Sequence, residues 1–377
     1  MAVIYLDNAA TTKMDESLIK VYQSFSCQDF YNPSAGYDSA IKNSQNLQHA
    51  REVILKKLNA KVGDIIFTSG ATESNNLAIR GCLREGKWEY LFSCVEHPSV
   101  FNVAKELEQN GKIVKFIPVN KSGEVDYNKL EEMVNEKTRL VSVMFVNNET
   151  GVINDLKKVC QIVKSKNPQT LVHVDGVQGF GKILIDLSKV DVDFFTISAH
   201  KFHGPKGVGV LYVKNKSALK SIVFGGGQEF GIRSGTENLP AIMAMAKRVE
   251  DIDITENFKQ TTLLKEAFLS SLDLNVVKHI DSQSPYILSL SFPKVNGETL
   301  MRALENKVIV GTGSACSTKK SGNRVLESMG FDIDYIKSCI RVSFNPYQTI
   351  EEVKKAGQII MKTYKDIYER IKWKSQF

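Results

Sequence analysis

In the stretch FFTISAHKFHGPKGVGVLYV, Lys201 follows an apolar run that reads as a strand and precedes a glycine-rich turn, with Ser198, His200 and His203 beside it. A lysine at a strand end among small polar residues can be desolvated, lose proton affinity and form a Schiff base with a carbonyl cofactor. The competing role is that of an ordinary solvated loop lysine. His200 and His203 share a loop with no nearby carboxylate, which makes a poor metal set. Upstream, LVHVDGVQGFGK puts Asp175 at the end of an apolar strand, where a buried carboxylate is costly unless a cation meets it. A protonated pyridinium nitrogen is such a cation, and an aspartate on that nitrogen is what lets pyridoxal phosphate (PLP) work as an electron sink. A helix N-cap is the alternative task for Asp175. Lys201 lies 26 positions after Asp175, about one strand–helix–strand crossover, so the two can meet at one edge of a sheet.

Three further stretches carry chemistry. In FTSGATESNNLAI a strand ends at Ser69, Gly70 permits a tight turn, and Thr72 offers its hydroxyl with the backbone amides of a helix start. The helix dipole there favours an anion such as a phosphate. A plain capping box, with Ser69 or Thr72 answered by Glu73, explains the same residues. In CVEHPSV, His97 follows another strand and is placed either to lie on an aromatic ring or to serve structure alone. In VIVGTGSACSTKK, Cys316 sits between small residues in a loop that gives a thiol nothing to be buried in. It is an incidental surface group or a nucleophile on a pliable tether, with Gly311, Gly313, Ser314 and Ala315 on one side and STKKSGN on the other.

The elements that must position these residues alternate. DIIFTS, YLFSC, IVKFIPV, TRLVSVMFV, TLVHVD, FFTIS and GVGVLYV read as strands, with helical patterns such as ESNNLAIRGCL and SVFNVAKELEQN between them. Strand then helix, repeated, predicts an α/β fold with a largely parallel sheet covered on both faces. After about residue 255 the pattern changes. NFKQTTLLKEAFLSSL reads as a helix, YILSLSFP and CIRVSF as strands, and a last helix carries Val353, Ile360, Tyr364, Ile367 and Ile371 on one face. A smaller α+β lobe therefore follows a larger α/β one, as expected for 377 residues.

Composition narrows the class. Apolar residues make up 42% and charged residues 24%, and no run approaches the roughly 18 apolar residues of a membrane span. The first residues, MAVIYLDNAATT, lack a signal or transit pattern, so a cytoplasmic protein is expected. Cys27, Cys82, Cys94, Cys160, Cys316 and Cys339 are scattered without a CxxC pair, which argues against a disulfide framework or zinc site. Four or five of them are expected to be inert core thiols, Cys339 among these. The 49 basic and 42 acidic side chains leave +7, compatible with an acidic partner or RNA, although no direct nucleic-acid binding is expected.

The assembled motifs resemble a family. YLDNAATT, NPS, FTSGATESNNLAI, EHPSV, VNNETG, HVDGVQGFGK, SAHKFHGPKGVG, GGGQEFGIRSGTEN and GSACST occur in the order seen in the NifS/IscS-like cysteine desulfurases, over about residues 5 to 349. These are PLP-dependent enzymes of the class V aminotransferase family with the aspartate aminotransferase-like fold, fold type I. The resemblance implies a large PLP-binding domain over 15–254 and a small domain formed by 1–14 and 255–377, carrying the cysteine loop. It implies that Lys201 holds PLP covalently, Asp175 pairs with the pyridinium nitrogen, Gln178 bonds the ring hydroxyl, and His97 stacks on the ring and moves protons. Thr72, Ser198 and His200 would hold the phosphate, with Thr236 reaching in from the second subunit of a homodimer. Asn148 and Arg341 would take the substrate carboxylate, a task suited to guanidinium geometry. Cys316 matches the cysteine that takes sulfur from L-cysteine as a persulfide and leaves L-alanine. The sulfur would pass to an acceptor, either an iron–sulfur scaffold or a tRNA-thiolating enzyme, and no metal site is implied.

The chain departs from the family pattern at Tyr37 and Asp38, Asn154, Phe230, and Asn345 with Pro346, near the substrate mouth and the subunit contact. A selenocysteine lyase would share the whole site. An aminotransferase would have no use for Cys316. A subunit that binds PLP only for structure and relays sulfur is the reading from outside catalysis. Lys319, Lys320 and Arg324 follow Cys316 closely and are expected to be solvated or to meet an acidic acceptor.

Overall fold

A computed structural model describes residues 3–312 and 323–374. The chain begins with β1 (Ile4–Tyr5), α1 (Leu18–Cys27) and α2 (Asp38–Lys57). It then alternates through β2 (Asp64–Thr68), α3 (Ala71–Gly81), β3 (Glu89–Ser93), α4 (Pro98–Gln109), β4 (Ile113–Ile117), α5 (Tyr127–Met133), β5 (Thr138–Met144) and α6 (Leu156–Lys166). The strands β6 (Leu171–Asp175), β7 (Phe194–Ser198) and β8 (Gly209–Val213) complete this part, and α7 (Leu239–Asp251) covers it. The remainder comprises α8 (Ile254–Leu269), β9 (Lys278–His279), β10 (Ile287–Ser291), α9 (Gly297–Leu304), β11 (Val308–Ile309), α10 (Arg324–Ser328), α11 (Ile333–Lys337), β12 (Cys339–Ser343) and α12 (Ile350–Lys374). Helix starts follow side-chain chemistry: Asp126, Asp155, Asp253 and Asn296 each accept backbone N–H bonds at the first turn of α5, α6, α8 and α9.

Seven strands form one sheet in the order β2-β8-β7-β6-β5-β3-β4. Pairings from β7 through β4 are parallel, as the βα alternation demands. β8 runs antiparallel to both β7 and β2. Because β8 reverses twice, β2 points the same way as β7, and the C-terminal ends of β2, β7, β6, β5 and β3 share one edge. Val141, Val143, Val172, Val174, Phe195 and Ile197 pack with Ile242, Met245 and Val249 of α7 on one face. Tyr90, Phe92, Leu140 and Phe194 pack with Leu77, Ala78 and Val100 on the other. Burial on both faces is why these strands are continuously apolar rather than alternating.

The C-terminal part builds a three-stranded antiparallel sheet, β12-β10-β9, and pairs β11 with the N-terminal β1. Leu264 and Phe268 of α8 and Val353, Ile360 and Tyr364 of α12 share its core with Ile4 and Leu6. The expected apolar face of the last helix is present over Val353 to Tyr364, with Ile367 packed at its edge. Ile371 corrects that expectation: it is 43% exposed, because α12 outruns the sheet it packs on. A smaller cluster joins the two sheets at a seam, where Val95 and Met144 meet Val325, Leu326, Met329 and Cys339. Among the described residues no helix is long and apolar enough to cross a membrane.

Candidate active site

The shared strand edge opens onto a cavity of about 890 Å³. Thr72, His97, Asn148, Asp175, Gln178, Ser198, His200, Lys201 and Arg341 all line it, although the sequence spreads them over 270 positions. Each follows from topology. Asp175 ends β6 opposite Thr196 of β7, and β7 ends at Ser198, from which a single helical turn carries His200 and Lys201. Thr72 enters from the first turn of α3 and His97 from the turn that starts α4. Gly209 lies opposite both Thr68 and Ser198, and a Cβ there would come within 2.6 Å of the Gly70 backbone. That glycine lets the loop before α3 settle onto β8 and aim the helix start into the cavity.

Lys201 Nζ donates to the carbonyls of Ala9 and Ala10, each at 2.7 Å. Burial, with repulsion from Arg341, brings its pKa down to about 8 against the pull of Asp175 and Asp7. Asp175 is 4% exposed and accepts from Asn75 Nδ2 at 2.9 Å and from the Val177 amide at 3.1 Å. No helix follows it, so the N-cap alternative falls away. His97 accepts the Ser99 amide at Nδ1, 3.1 Å away, so the neutral ring carries its proton on Nε2. Its ring is open to the cavity and enclosed elsewhere, and desolvation holds its pKa below the usual range despite the pull of Asp175. His200 bonds Thr11 Oγ1 through Nδ1 at 3.0 Å, and burial beside Lys201 lowers its pKa to about 4. His203 does not line this cavity; its Nδ1 faces the carbonyl of Lys13.

Arg341 stands in β12, directly across from Ser289. Its guanidinium donates to the carbonyl of Asn148 at 2.9 Å and to Asp7 Oδ1 at 2.7 Å, while its buried Nε has no partner among the described residues. Arg341 lines the cavity, and a guanidinium there suits an anionic oxygen. Glu73 does what the capping-box reading asked, accepting the Ser69 amide at 2.7 Å, and it also holds Arg233 at 2.6 Å. Ser69, Gly70, Ala71 and Thr72 at the α3 start line the cavity beside it.

Thr236 does not line this cavity; it lies in a neighbouring depression of about 220 Å³ that shares Ser69 and Gly207 with it. Cys316 lies outside the described residues. The residues flanking its segment are tied to the cavity walls. Gly311 exchanges backbone bonds with Arg341 at 2.9 and 2.7 Å, and Asn323 donates to Glu149. Arg324 corrects the expectation of a solvated charge: it turns inward, donates to the carbonyls of Cys94 and Glu96, and lies 3.9 Å from the centre of the Phe101 ring. Of the other cysteines, Cys82, Cys160 and Cys339 are buried core thiols, pushed up to about 12 by burial. Cys94 is half-buried and Cys27 is exposed, so fewer belong to the core than expected.

Asn154, one of the departures, is structural: it accepts the Val125 amide and donates to the Met144 carbonyl. Phe230 lies on the surface under Lys216, 3.8 Å from its ring centre. Asp7, Asn75, Glu96 and Lys182 act at or beside the site without having been singled out from sequence. Asp7 and Lys182 sit inside the quoted YLDNAATT and HVDGVQGFGK motifs. Glu96 is fully buried with one carboxylate oxygen on the Met144 amide and the other unpartnered, and burial raises its pKa to about 8.

The donor set fits PLP. A cavity of this size, with the start of α3 at one end, a buried carboxylate that makes no ion pair among the described residues, and a lysine with lowered proton affinity, matches the phosphate, ring nitrogen and carbonyl of that cofactor. Fold and site together define a PLP-dependent enzyme of the aspartate aminotransferase type. The chain belongs to the class-V aminotransferase family, whose model matches residues 4–356. It is 36% identical over 370 residues to Cysteine desulfurase IscS 1 of Archaeoglobus fulgidus, covering 94% of this chain and 95% of the relative. It is also 36% identical to Cysteine desulfurase IscS of Rickettsia africae, covering 95% and 90%. Among solved structures, a NifS-like protein superposes with a TM-score of 0.90 at 36% identity, covering 98% of this chain and 100% of the other. SspA in complex with cysteine superposes at 0.82 with 29% identity, covering 92% and 100%.

Proposed function

We propose that this protein is a cysteine desulfurase that moves sulfur from L-cysteine to Cys316 and releases L-alanine. The observation that carries the reading is the meeting of Lys201, Asp175 and Arg341 in one cavity. The relatives named as cysteine desulfurases and the NifS-like structures support it. When bound, PLP supplies a carbonyl for amine condensation and a ring that takes up electrons released at the substrate Cα.

The side chains divide the remaining work. Arg341 receives the substrate carboxylate through its guanidinium, with Asn148 beside it and Asp7 holding the guanidinium plane. Asp175, kept in place by Asn75 and the Val177 amide, would meet the ring nitrogen. Gln178 would bond the ring hydroxyl, and Thr72, Ser198 and His200 would hold the phosphate at the start of α3. Lys201, whose lowered pKa leaves part of it neutral near pH 8, binds the cofactor and then carries the Cα proton. His97, its proton on Nε2, would cover the ring and serve in proton transfer.

Cys316 attacks the substrate sulfur as a thiolate. The carbon–sulfur bond breaks, a sulfur–sulfur bond forms, and the three-carbon remainder gains a proton to become alanine, so that one thiol and one cysteine yield one persulfide and one alanine. The ties of Gly311 to Arg341 and of Arg324 to the His97 turn bring both ends of the Cys316 segment to the cavity walls, which supports this role. The sulfur then leaves for an acceptor protein, an iron–sulfur scaffold or a tRNA-thiolating enzyme. A homodimer, with Thr236 completing the neighbour's phosphate site, fits the 86% exposure of Phe224 in the same loop. Division into a 15–254 domain and a small domain of 1–14 and 255–377 accords with the seven-stranded sheet in the first and the three-stranded sheet and β1–β11 pair in the second. The experiment is alanine release from L-cysteine and a thiol reductant by the PLP-loaded protein: production establishes the activity, and its absence with PLP bound refutes it.

A further inference from the structure

Lys182 is a buried amine to which the reading above gives no task. It is 6% exposed, its Nζ donates to Gln178 Oε1 at 2.9 Å, and it lies 5.7 Å from the centre of the Tyr286 ring. The charges that bear on it most, Lys201 and Arg341, share its sign. Burial, reinforced by that repulsion, lowers its pKa to about 7. His203 and Arg248 face it across a small cavity of about 20 Å³ that also touches Lys201 and Tyr286. Packing alone does not call for a lysine here, since a methionine has similar length without the cost of a desolvated amine.

A carboxamide fits its pocket in two orientations of nearly equal shape, and its neighbours decide between them. Lys182 brings protons to one side of Gln178, which turns Oε1 toward it. The amide nitrogen then faces the opposite side, where it donates to the Ala9 carbonyl at 2.9 Å. That carbonyl also accepts from Lys201, so a short chain of bonds runs Lys182–Gln178–Ala9–Lys201. The second N–H of Gln178 is left for the cavity that this residue lines.

We propose that Lys182 is a positioning residue that locks the Gln178 amide with its nitrogen toward the cavity, so that Gln178 donates a hydrogen bond to the ring oxygen of bound PLP. The proposal rests on the reading that the cavity holds PLP. A donor on that oxygen, together with a nearby positive charge, favours loss of the proton from the Lys201 nitrogen when that nitrogen is joined to the cofactor. Removing Lys182 weakens both influences, and both changes push the proton affinity upward.

The test is a pH titration of the visible absorption of the PLP-loaded protein, with wild type, Lys182→Met, Gln178→Ala and the double variant compared. Lys182→Met is expected to raise the midpoint by about half a pH unit or more, and to do much less in the Gln178→Ala background. Lys182→Arg, which keeps donors and charge, should stay nearer wild type. An unchanged midpoint in Lys182→Met, or an equal change with and without Gln178, overturns the proposal. Should Lys182→Met fail to fold, Lys182→Leu provides the same comparison, lacking both donor and charge. A wild-type protein that acquires no visible band with PLP overturns the cofactor reading and the proposal together, whereas a titrating wild type with an unmoved variant overturns the proposal alone.

Discussion

The seven-stranded sheet offers the cavity its strand ends, whereas the three-stranded sheet offers it one side chain from the middle of a strand. Asp175 and Ser198 are the last residues of β6 and β7, with Lys201 and His97 within a few residues of strand ends. Arg341 instead sits at the centre of β12 and reaches the cavity because Asp7, Asn148 and Gly311 converge on it. The cofactor end is thus fixed by the parallel sheet itself, as in other α/β folds. The substrate end depends on three distant segments holding one guanidinium. It should therefore respond to small changes that the cofactor end tolerates.

Removing the central group of the cofactor end gives the largest effect. Lys201→Ala should lower alanine formation by about a thousandfold or more and leave added PLP reversibly bound, as judged by gel filtration and absorption. Retention of PLP through denaturation in this variant would place its attachment elsewhere. At the substrate end, Arg341→Lys should raise KM by about tenfold or more with a smaller fall in kcat, because a point charge replaces the fork. An unchanged KM would move carboxylate binding away from β12.

Two smaller effects depend on titration and on the second-tier contacts. PLP uptake by the apoprotein needs the neutral Lys201 amine, so its rate should rise with pH through about 8, well below the ordinary lysine value of 10.5, as followed by absorption. A rate still climbing steadily past that region would mean the amine is not desolvated. Lys182 has a folded pKa near 7 and an unfolded one near 10.5, so the unfolded chain binds more protons between those values and this group makes stability rise with pH there. Apoprotein Lys182→Met should therefore melt above wild type most clearly near pH 7, with the gap closing toward pH 10. Asp7→Asn should be milder still, changing KM by a few fold, since Asn148 still holds the guanidinium.

How much was legible in the sequence follows the same division. Each run read as a strand before β8 is a strand, because burial on both faces leaves an uninterrupted apolar signature, and the residues just after those strands are local in sequence. Asp175 and Lys201 were found by spacing, since a crossover has a limited length. The inward turn of Arg324 was not legible. Its carbonyl partners, Cys94 and Glu96, lie 230 and 228 residues away, and a charge in a short basic stretch looks solvated until the seam closes around it. The Asp7 pairing with Arg341, across 334 residues, was hidden for the same reason. Lys182 lay inside a quoted motif, but its burial comes from Tyr286 and the Lys201 turn, which periodicity does not reveal.

The most direct measurement of the central claim is alanine produced from L-cysteine by the PLP-loaded wild type and by Cys316→Ser, in the presence of a thiol reductant and with bound PLP quantified in both. The account predicts alanine from the wild type and a loss of about a hundredfold or more in the variant at equal PLP content. Equal alanine from both, or none from a wild type that holds PLP, would contradict it.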